Sequence, residues 1–169
     1  MNGLVWLRSD LRIDDNPALS MAGSECKKIA CLYLISEREW KNHNNANVKL
    51  DFIIRNLSDL SKNLSKLNIP LITGAVDSFD DIPNKINEFC KANSISKCYW
   101  NNEFGIDESK RDKSVKSVLE INKIDYQFFD EQIVFKPGTL LTGQGKPFSV
   151  FTPFKKKWIE NFSMDQLEI

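Results

Sequence analysis

The sequence lacks the cysteine and histidine patterns that bind metal ions. It has four cysteines and one histidine, and no two cysteines form a Cys-x-x-Cys pair, so neither a zinc site nor a dithiol motif is indicated. Cys31 and Cys98 lie within apolar runs, where a free thiol behaves as a small hydrophobe. This cysteine usage favours a reducing, cytoplasmic setting.

Long apolar runs are also missing. The first one, residues 4–7, ends at Arg8 and Asp10 and is too short for a signal peptide. No stretch approaches the roughly 20 residues that span a membrane. The sequence therefore predicts no membrane partner.

The chain has no excess of positive charge. Lys plus Arg and Asp plus Glu both number 23, which gives a formal net charge of zero. A protein that grips DNA phosphates is usually basic overall or along one face. The charge balance argues against strong DNA binding by this chain alone, and leaves open a partner domain that makes the DNA contact.

Glycine-rich phosphate loops are missing too. No Gly-x-Gly-x-x-Gly motif follows the first apolar run, so a nicotinamide dinucleotide site of the usual kind is unsupported. Residues 138–143 resemble half a phosphate loop, but Gln144 stands where lysine is required and Pro147 follows too soon for a helix. We interpret this segment as a turn.

What the sequence does contain is an alternation of short apolar runs with helical patterns. Strands are predicted at 4–7, 29–35, 70–76, 97–101 and 126–129. The run 29–35 is nearly all apolar, as is typical of a strand buried on both faces in a parallel sheet. The alternation predicts an α/β fold, a doubly wound five-stranded parallel sheet with helices on both faces, of Rossmann-like type.

The helices that connect these strands are predicted over about 17–22, 48–67, 82–92 and 107–122, with a last one over 154–162. Asn16 is expected to cap the first helix with Pro17 as its first residue, and Thr152-Pro153 is expected to cap the last. In 48–67 one apolar stripe should face the sheet, made by Leu50, Ile53, Ile54, Leu57, Leu60, Leu64 and Leu67.

The alternation is lost after about residue 130. Residues 136–147 are rich in glycine and proline, which indicates a turn-rich excursion. We therefore divide the chain into an α/β core over 1–135 and a segment over 136–169 that holds the turns and the final helix.

Three loops are candidates for a binding site, because ligands of open α/β sheets bind outside the carboxyl ends of the strands. These loops cover 8–16, 36–47 and 101–108. His43 lies in the second, and a lone exposed histidine is usually incidental. Asp107 and Glu108 open a helix in the third, where they could be simple helix caps. Alternatively, one carboxylate could accept paired hydrogen bonds from an amino-pyrimidine.

Three segments, taken in order, resemble the photolyase and cryptochrome family. Residues 4–19 carry Trp-Leu-Arg-Ser-Asp-Leu-Arg and a nearby Asp-Asn, like the family's opening strand and loop. Tyr99-Trp100-Asn101, followed by Asp107-Glu108 and Arg111-Asp112, resembles its fourth strand and next helix. Val150-Phe151-Thr152-Pro153-Phe154-Lys155 with Trp158 resembles the segment that closes its antenna domain. The similarity extends from about residue 3 to residue 162.

The resemblance implies the antenna domain of a class I, folate-type DNA photolyase. In that family an N-terminal α/β domain holds a light-collecting chromophore, such as 5,10-methenyltetrahydrofolate, that passes excitation energy to FAD. The FAD lies in a larger helical domain of the same protein, which also binds damaged DNA and splits pyrimidine dimers. This chain alone is then expected to have no catalytic activity. The alternatives are the same domain of a cryptochrome photoreceptor and a stand-alone nucleotide-binding module.

The resemblance also implies site residues. The positions of His43, Asp107 and Glu108 contact the pterin in folate-binding members, with Glu108 on the amino-pyrimidine edge and His43 on the other side. Asp107 departs from the family's usual asparagine, and an ionised aspartate can only accept hydrogen bonds. This departure predicts weaker folate binding or a different ligand. The missing helical domain would leave apolar surface uncovered, which predicts a weak homodimer of the fragment.

Overall fold

The structure, a computed structural model, describes residues 1–164. It separates into two compact units, residues 1–129 and a second unit that begins at Asp130. The functional division predicted at residue 135 stays a prediction. Among the described residues, no helix is long and apolar enough to cross a membrane.

The first unit is built on a parallel sheet of five strands in the order β3-β2-β1-β4-β5. The strands are β1 (Asn2–Leu7), β2 (Lys28–Ile35), β3 (Leu71–Ala75), β4 (Lys97–Asn101) and β5 (Asp125–Phe129). All five predicted strands are confirmed, and their ends move by two residues or fewer.

The helices of this unit are α1 (Pro17–Glu25), α2 (Glu37–Asn42), α3 (Asn47–Lys66), α4 (Ile82–Ala92) and α5 (Ile106–Ile121), with a 3₁₀ turn at Phe79–Asp81. The side chain of Asn16 accepts from the Leu19 N–H, as predicted for the cap of α1. Helix α2 lies in a segment for which the sequence predicts a loop, and that prediction is wrong.

Two apolar clusters cover the two faces of the sheet, because successive side chains of a strand point to opposite sides. On one face, Leu4 and Trp6 of β1 pack with residues of α4 and α5 such as Ile86 and Leu119. On the other face, Val5 and Leu7 pack with residues of α1 and α3. The doubly wound fold with helices on both faces is therefore as predicted.

The apolar stripe of α3 is narrower than its periodicity predicts. Leu57, Leu60 and Leu64 are buried, whereas Ile54 and Leu67 are 56% and 53% exposed. Only one side of the helix lies against the sheet, and these two positions fall outside that contact.

The second unit contains α6 (Phe151–Asn161). Trp158 lies with its ring centroid 5.6 Å from that of Phe135 and 5.1 Å from that of Phe162. The expected Thr152-Pro153 cap is wrong, because the helix begins at Phe151 after Val150 and has no side-chain cap. Both residues therefore lie within the first turn, where proline is tolerated.

Candidate ligand-binding site

The site lies where the winding of the sheet reverses. After β1 the chain moves toward β2, and β4 lies on the other side of β1, so the loops after β1 and β4 diverge. A cavity of about 370 Å³ opens at this point. That volume is in the range of small-molecule sites, roughly 300–1,000 Å³.

Aromatic side chains form part of the walls of the cavity. Trp6, Tyr33, Trp40, Phe52 and Phe79 all line it. Burial raises the pKa of Tyr33 to about 12, so this phenol stays neutral at physiological pH. Walls of this kind suit a flat, conjugated ligand, which can lie against several rings.

The floor of the cavity is a network of buried charges. Arg8 Nη1 lies 3.0 Å from both carboxylate oxygens of Asp112, and Arg8 Nη2 donates to the carbonyl of Asn101. Arg111 Nη2 donates to Asp112 at 2.8 Å and to Glu103 at 2.9 Å. Each buried cation thus has a carboxylate partner, as burial of charge requires.

Burial and ion pairing oppose each other in this network. Burial lowers the pKa of Arg8, and the nearby Asp112 acts in the opposite direction. For Glu103, burial acts to raise the pKa, but the positive charges of Arg8 and Arg111 outweigh it and the pKa is lowered. Glu103 is therefore held in its ionised form.

A second polar set fixes the loop after β1. The backbone N–H of Arg8 donates to Asp10 Oδ1 at 2.8 Å, and Asn101 Nδ2 donates to Asp10 Oδ2 at 2.7 Å and to Asn16 Oδ1 at 2.8 Å. Ala18 N–H donates to Asn101 Oδ1 at 3.2 Å. One amide on β4 therefore joins that loop to the start of α1.

The structure brings two of the three proposed site residues to the cavity. Glu108, in the first turn of α5, and His43, just after α2, both line it. The imidazole of His43 lies 6.1 Å from the Phe79 ring and 3.7 Å from Glu39. The residue that follows α2 and the first turn of α5 therefore each place a polar side chain at the same cavity.

Asp107 does not line the cavity. Its side chain is 57% exposed and lies 3.2 Å from the ammonium of Lys110, one turn along α5. The helical rotation between neighbouring residues turns Asp107 away from Glu108, and the expected direct role in the pocket has no support in this geometry.

Several residues of the site were not found by sequence reasoning. Glu39, Trp40, Glu103 and Arg111 line the cavity, yet none was identified as a site residue. A signal was present for Arg111, since an Arg-Asp pair one turn after Asp107-Glu108 belongs to the resemblance. Its pairing with Glu103 depends on the tertiary fold.

A doubly wound sheet with a ligand-sized cavity at its reversal point is the arrangement in which α/β domains commonly bind cofactors or nucleotides. The family model described as DNA photolyase matches residues 3–168 of this chain. The chain therefore belongs to the DNA photolyase family, and its fold is that of the family's N-terminal α/β domain.

Two relatives and one solved structure illustrate this membership. The deoxyribodipyrimidine photo-lyase of Vibrio cholerae is 34% identical over 159 residues, which is 94% of this chain and 34% of that protein. The Escherichia coli enzyme is 32% identical over 158 residues, 93% of this chain and 33% of that protein. A class III photolyase of Agrobacterium tumefaciens superposes with a TM-score of 0.76 at 24% identity, covering 96% of this chain and 32% of that one. The chain spans about a third of the length of these relatives.

Proposed function

We propose that the first unit is an antenna domain that binds 5,10-methenyltetrahydrofolate in the cavity at the carboxyl edge of the sheet. The observation that carries the proposal is that Glu108 and His43, from separate elements, line one aromatic-walled cavity. When bound, the folate would supply light absorption. The chain's own residues would orient it.

The donors and acceptors of the cavity fit a reduced pterin. An amino-pyrimidine presents an N–H and an NH₂ side by side, and the carboxylate of Glu108 can accept from both. The aromatic walls match the flat ring system, and Trp6 and Phe79 are already held in place by the guanidinium of Arg111, whose Cζ is 4.9 and 4.8 Å from their ring centroids.

His43 would cover the opposite side of the ligand. It follows α2, which is capped by Ser36 and ends immediately before the imidazole. Its proximity to Glu39 ties the ring to the preceding turn of the helix. Closure by α2 would exclude water from the pterin.

Asp107 would have a small effect on affinity. Its carboxylate faces Lys110 rather than the cavity, and the nearby ammonium offsets the like charge that it would add beside Glu108. The presence of Asp107, where the family usually has asparagine, is then compatible with folate binding.

The helical FAD domain of a longer protein is the proposed partner that receives the excitation energy. The span of about a third of the photolyase relatives supports this assignment. Damaged DNA would be bound only through that domain, since the present chain carries no net positive charge. The chain alone would then have no repair activity, and the longer protein would be the light-dependent lyase.

The test is an absorbance titration of the purified chain with 5,10-methenyltetrahydrofolate. Glu108→Gln should weaken binding by about 10- to 100-fold, because a hydrogen bond to a charged group contributes roughly 1.5–3 kcal/mol. Asp107→Asn, at the adjacent position, is the matched control and should leave the affinity nearly unchanged.

Equal affinity of wild type and Glu108→Gln would overturn the proposed site. Tight binding of ATP or NAD that is indifferent to Glu108 would instead favour a stand-alone nucleotide-binding module. The cryptochrome alternative predicts the same result in this titration. A photolyase is distinguished from a cryptochrome by assaying the longer protein for light-dependent repair of DNA that contains pyrimidine dimers.

A further inference from the structure

A row of aromatic rings crosses the sheet from the cavity to its far edge. Trp6 on β1 lines the cavity, and its ring centroid lies 5.9 Å from that of Trp100 on β4. Trp100 in turn stacks on Tyr126 of β5 at 5.5 Å. β5 is an edge strand, and Tyr126 is half-buried there. The three rings share one face because side chains alternate along adjacent parallel strands.

We propose that Trp6, Trp100 and Tyr126 form a path for single-electron transfer from the edge of the sheet to an oxidising species in the cavity. The oxidant is a photo-excited aromatic ligand or another strong one-electron acceptor. It takes one electron from Trp6, Trp6 takes one from Trp100, and Trp100 takes one from Tyr126.

The charges along the row favour this direction. The guanidinium carbons of Arg8 and Arg111 lie 4.4 and 4.9 Å from the centroid of the Trp6 ring. A cation so close to a ring raises the energy of a positive charge on that ring. The Lys116 ammonium lies 5.9 Å from the Trp100 centroid and disfavours a lasting charge there as well. The carboxylates of Asp112 and Glu103, paired with the two arginines, offset part of this effect at Trp6, so the direction of transfer depends mainly on the end of the row.

The end of the row has a proton acceptor. The Tyr126 hydroxyl donates to Glu120 Oε1 at 2.6 Å. When Tyr126 loses its electron, its phenolic proton moves to the Glu120 carboxylate, which leaves a neutral tyrosyl radical and a neutral carboxylic acid. The net change is one electron gained by the oxidant and one proton transferred from Tyr126 to Glu120.

The middle of the row has no such acceptor. The indole N–H of Trp100 is buried and has no hydrogen-bond partner among residues 1–164. An oxidised Trp100 therefore keeps its proton and its positive charge, and it can pass the charge on to Tyr126. The unpaired indole thereby favours transfer over trapping.

The chain's single histidine allows a direct test, because His43 also lines the cavity. A ruthenium bis(bipyridine) imidazole complex is attached to His43, and a light flash with an external quencher generates ruthenium(III) at the cavity that Trp6 also lines. We expect a neutral tyrosyl radical in transient absorption and electron paramagnetic resonance spectra. No folate is present, so the result is independent of the proposed antenna function.

Two substitutions identify the path. Tyr126→Phe should abolish the tyrosyl signal, and Trp100→Phe should abolish it as well because the electron no longer reaches Trp6 from Tyr126. Tyr99→Phe is the matched control: Tyr99 also donates to a carboxylate, Glu25 Oε2 at 2.7 Å, but belongs to the apolar cluster on the opposite face.

Persistence of the tyrosyl signal in Tyr126→Phe, or its loss in Tyr99→Phe, would contradict the path. A tyrosyl signal of equal yield in wild type and Trp100→Phe would show that Trp100 carries no electron and would leave the row with a packing role only. Tyr126 is half-buried on an edge strand, so Tyr126→Phe should not prevent folding. The loss of the tyrosyl signal in this variant therefore tests the path even if Trp100→Phe, a core variant, does not fold.

Discussion

At the scale of single residues, Glu103 links the cavity to the stability of the fold. Its carboxylate lies 2.9 Å from Arg111 and 4.0 Å from Arg8, and its pKa is lowered because these two cations outweigh burial. A carboxylate whose pKa is lower in the folded state stabilises the protein above its unfolded pKa. That contribution is lost as the pH falls through the folded pKa.

Glu103→Gln should therefore lower the free energy of unfolding at neutral pH by about 1–3 kcal/mol. The difference from wild type should shrink as the pH falls below about 4.5, the ordinary value for this carboxyl group. Urea denaturation at pH 7 and at low pH measures both. Glu88→Gln, with a side chain 70% exposed, is the control and should change stability by less than about 0.5 kcal/mol. An equal loss at both pH values would contradict this account.

The family resemblance indicated part of this site. Glu108 and His43 were predicted from the resemblance and lie at the cavity. Asp107 is the adjacent position on the same helix, and no linear pattern distinguishes which of two consecutive carboxylates faces inward. The pairing of Glu103 with Arg111 joins the loop after β4 to α5 through the fold, so it has no local signature.

At the scale of secondary structure, α3 shows which features of a helix its apolar periodicity can predict and which it cannot. Its pattern correctly predicts a long helix against the sheet, but the stripe does not show where the contact ends. Leu64 is fully buried and Leu67, three residues on, is 53% exposed. The sheet covers one side of α3 only, and that limit is a property of the packed structure.

Leu64→Ala should lower the free energy of unfolding by about 2–5 kcal/mol, as large-to-small changes in a core do. Leu67→Ala removes the same atoms at an exposed position and should cost less than about 0.5 kcal/mol. Thermal or denaturant unfolding of the two variants gives the comparison. Similar losses at both positions would mean that Leu67 is packed as tightly as Leu64 in solution.

Helix α2 illustrates the opposite limit. With six residues it is too short to display a helical period, and its polar composition resembles a loop. A local signal nevertheless exists: Ser36 Oγ accepts from the Glu39 N–H at 3.3 Å, a serine cap that precedes acidic residues in the first turn. Capping chemistry could have placed α2 where periodicity could not.

At the scale of the whole molecule, apolar side chains are exposed beside the cavity. Phe104 and Ile106 lie between Glu103 and Glu108, which both line it, and are 38% and 77% exposed. Phe52, also on the lining, is 62% exposed. Apolar surface at the mouth of a site is typical of a face that another surface covers.

The isolated chain should therefore self-associate weakly through this face. Ile106→Ser should weaken the dimer by about tenfold, equivalent to roughly 1.4 kcal/mol. Ile121→Ser changes a residue that is 79% exposed at the other end of α5 and should leave association unchanged. Sedimentation velocity over a range of concentrations measures both. Equal effects of the two substitutions would argue against the cavity face.

The architecture as a whole was the most predictable level. Strand and helix alternation, together with apolar runs buried on both faces, predicts a doubly wound parallel sheet, and the reversal point then follows from its topology. The cavity volume and the aromatic walls were not predictable, because Trp40, Phe52 and Phe79 come from three different segments that only the fold brings together.

The separation between floor and walls has a consequence for how such domains diversify. Arg8, Asp10, Asn101 and Asp112 tie β1, β4 and α5 together beneath the cavity. Other parts of the lining, by contrast, come from α2, the outer side of α3 and the first turn of α5. Under the proposed function, exchange of an exposed lining residue such as Phe52 would alter the ligand that the cavity accepts without loosening this framework, so one scaffold could serve related domains with different ligands.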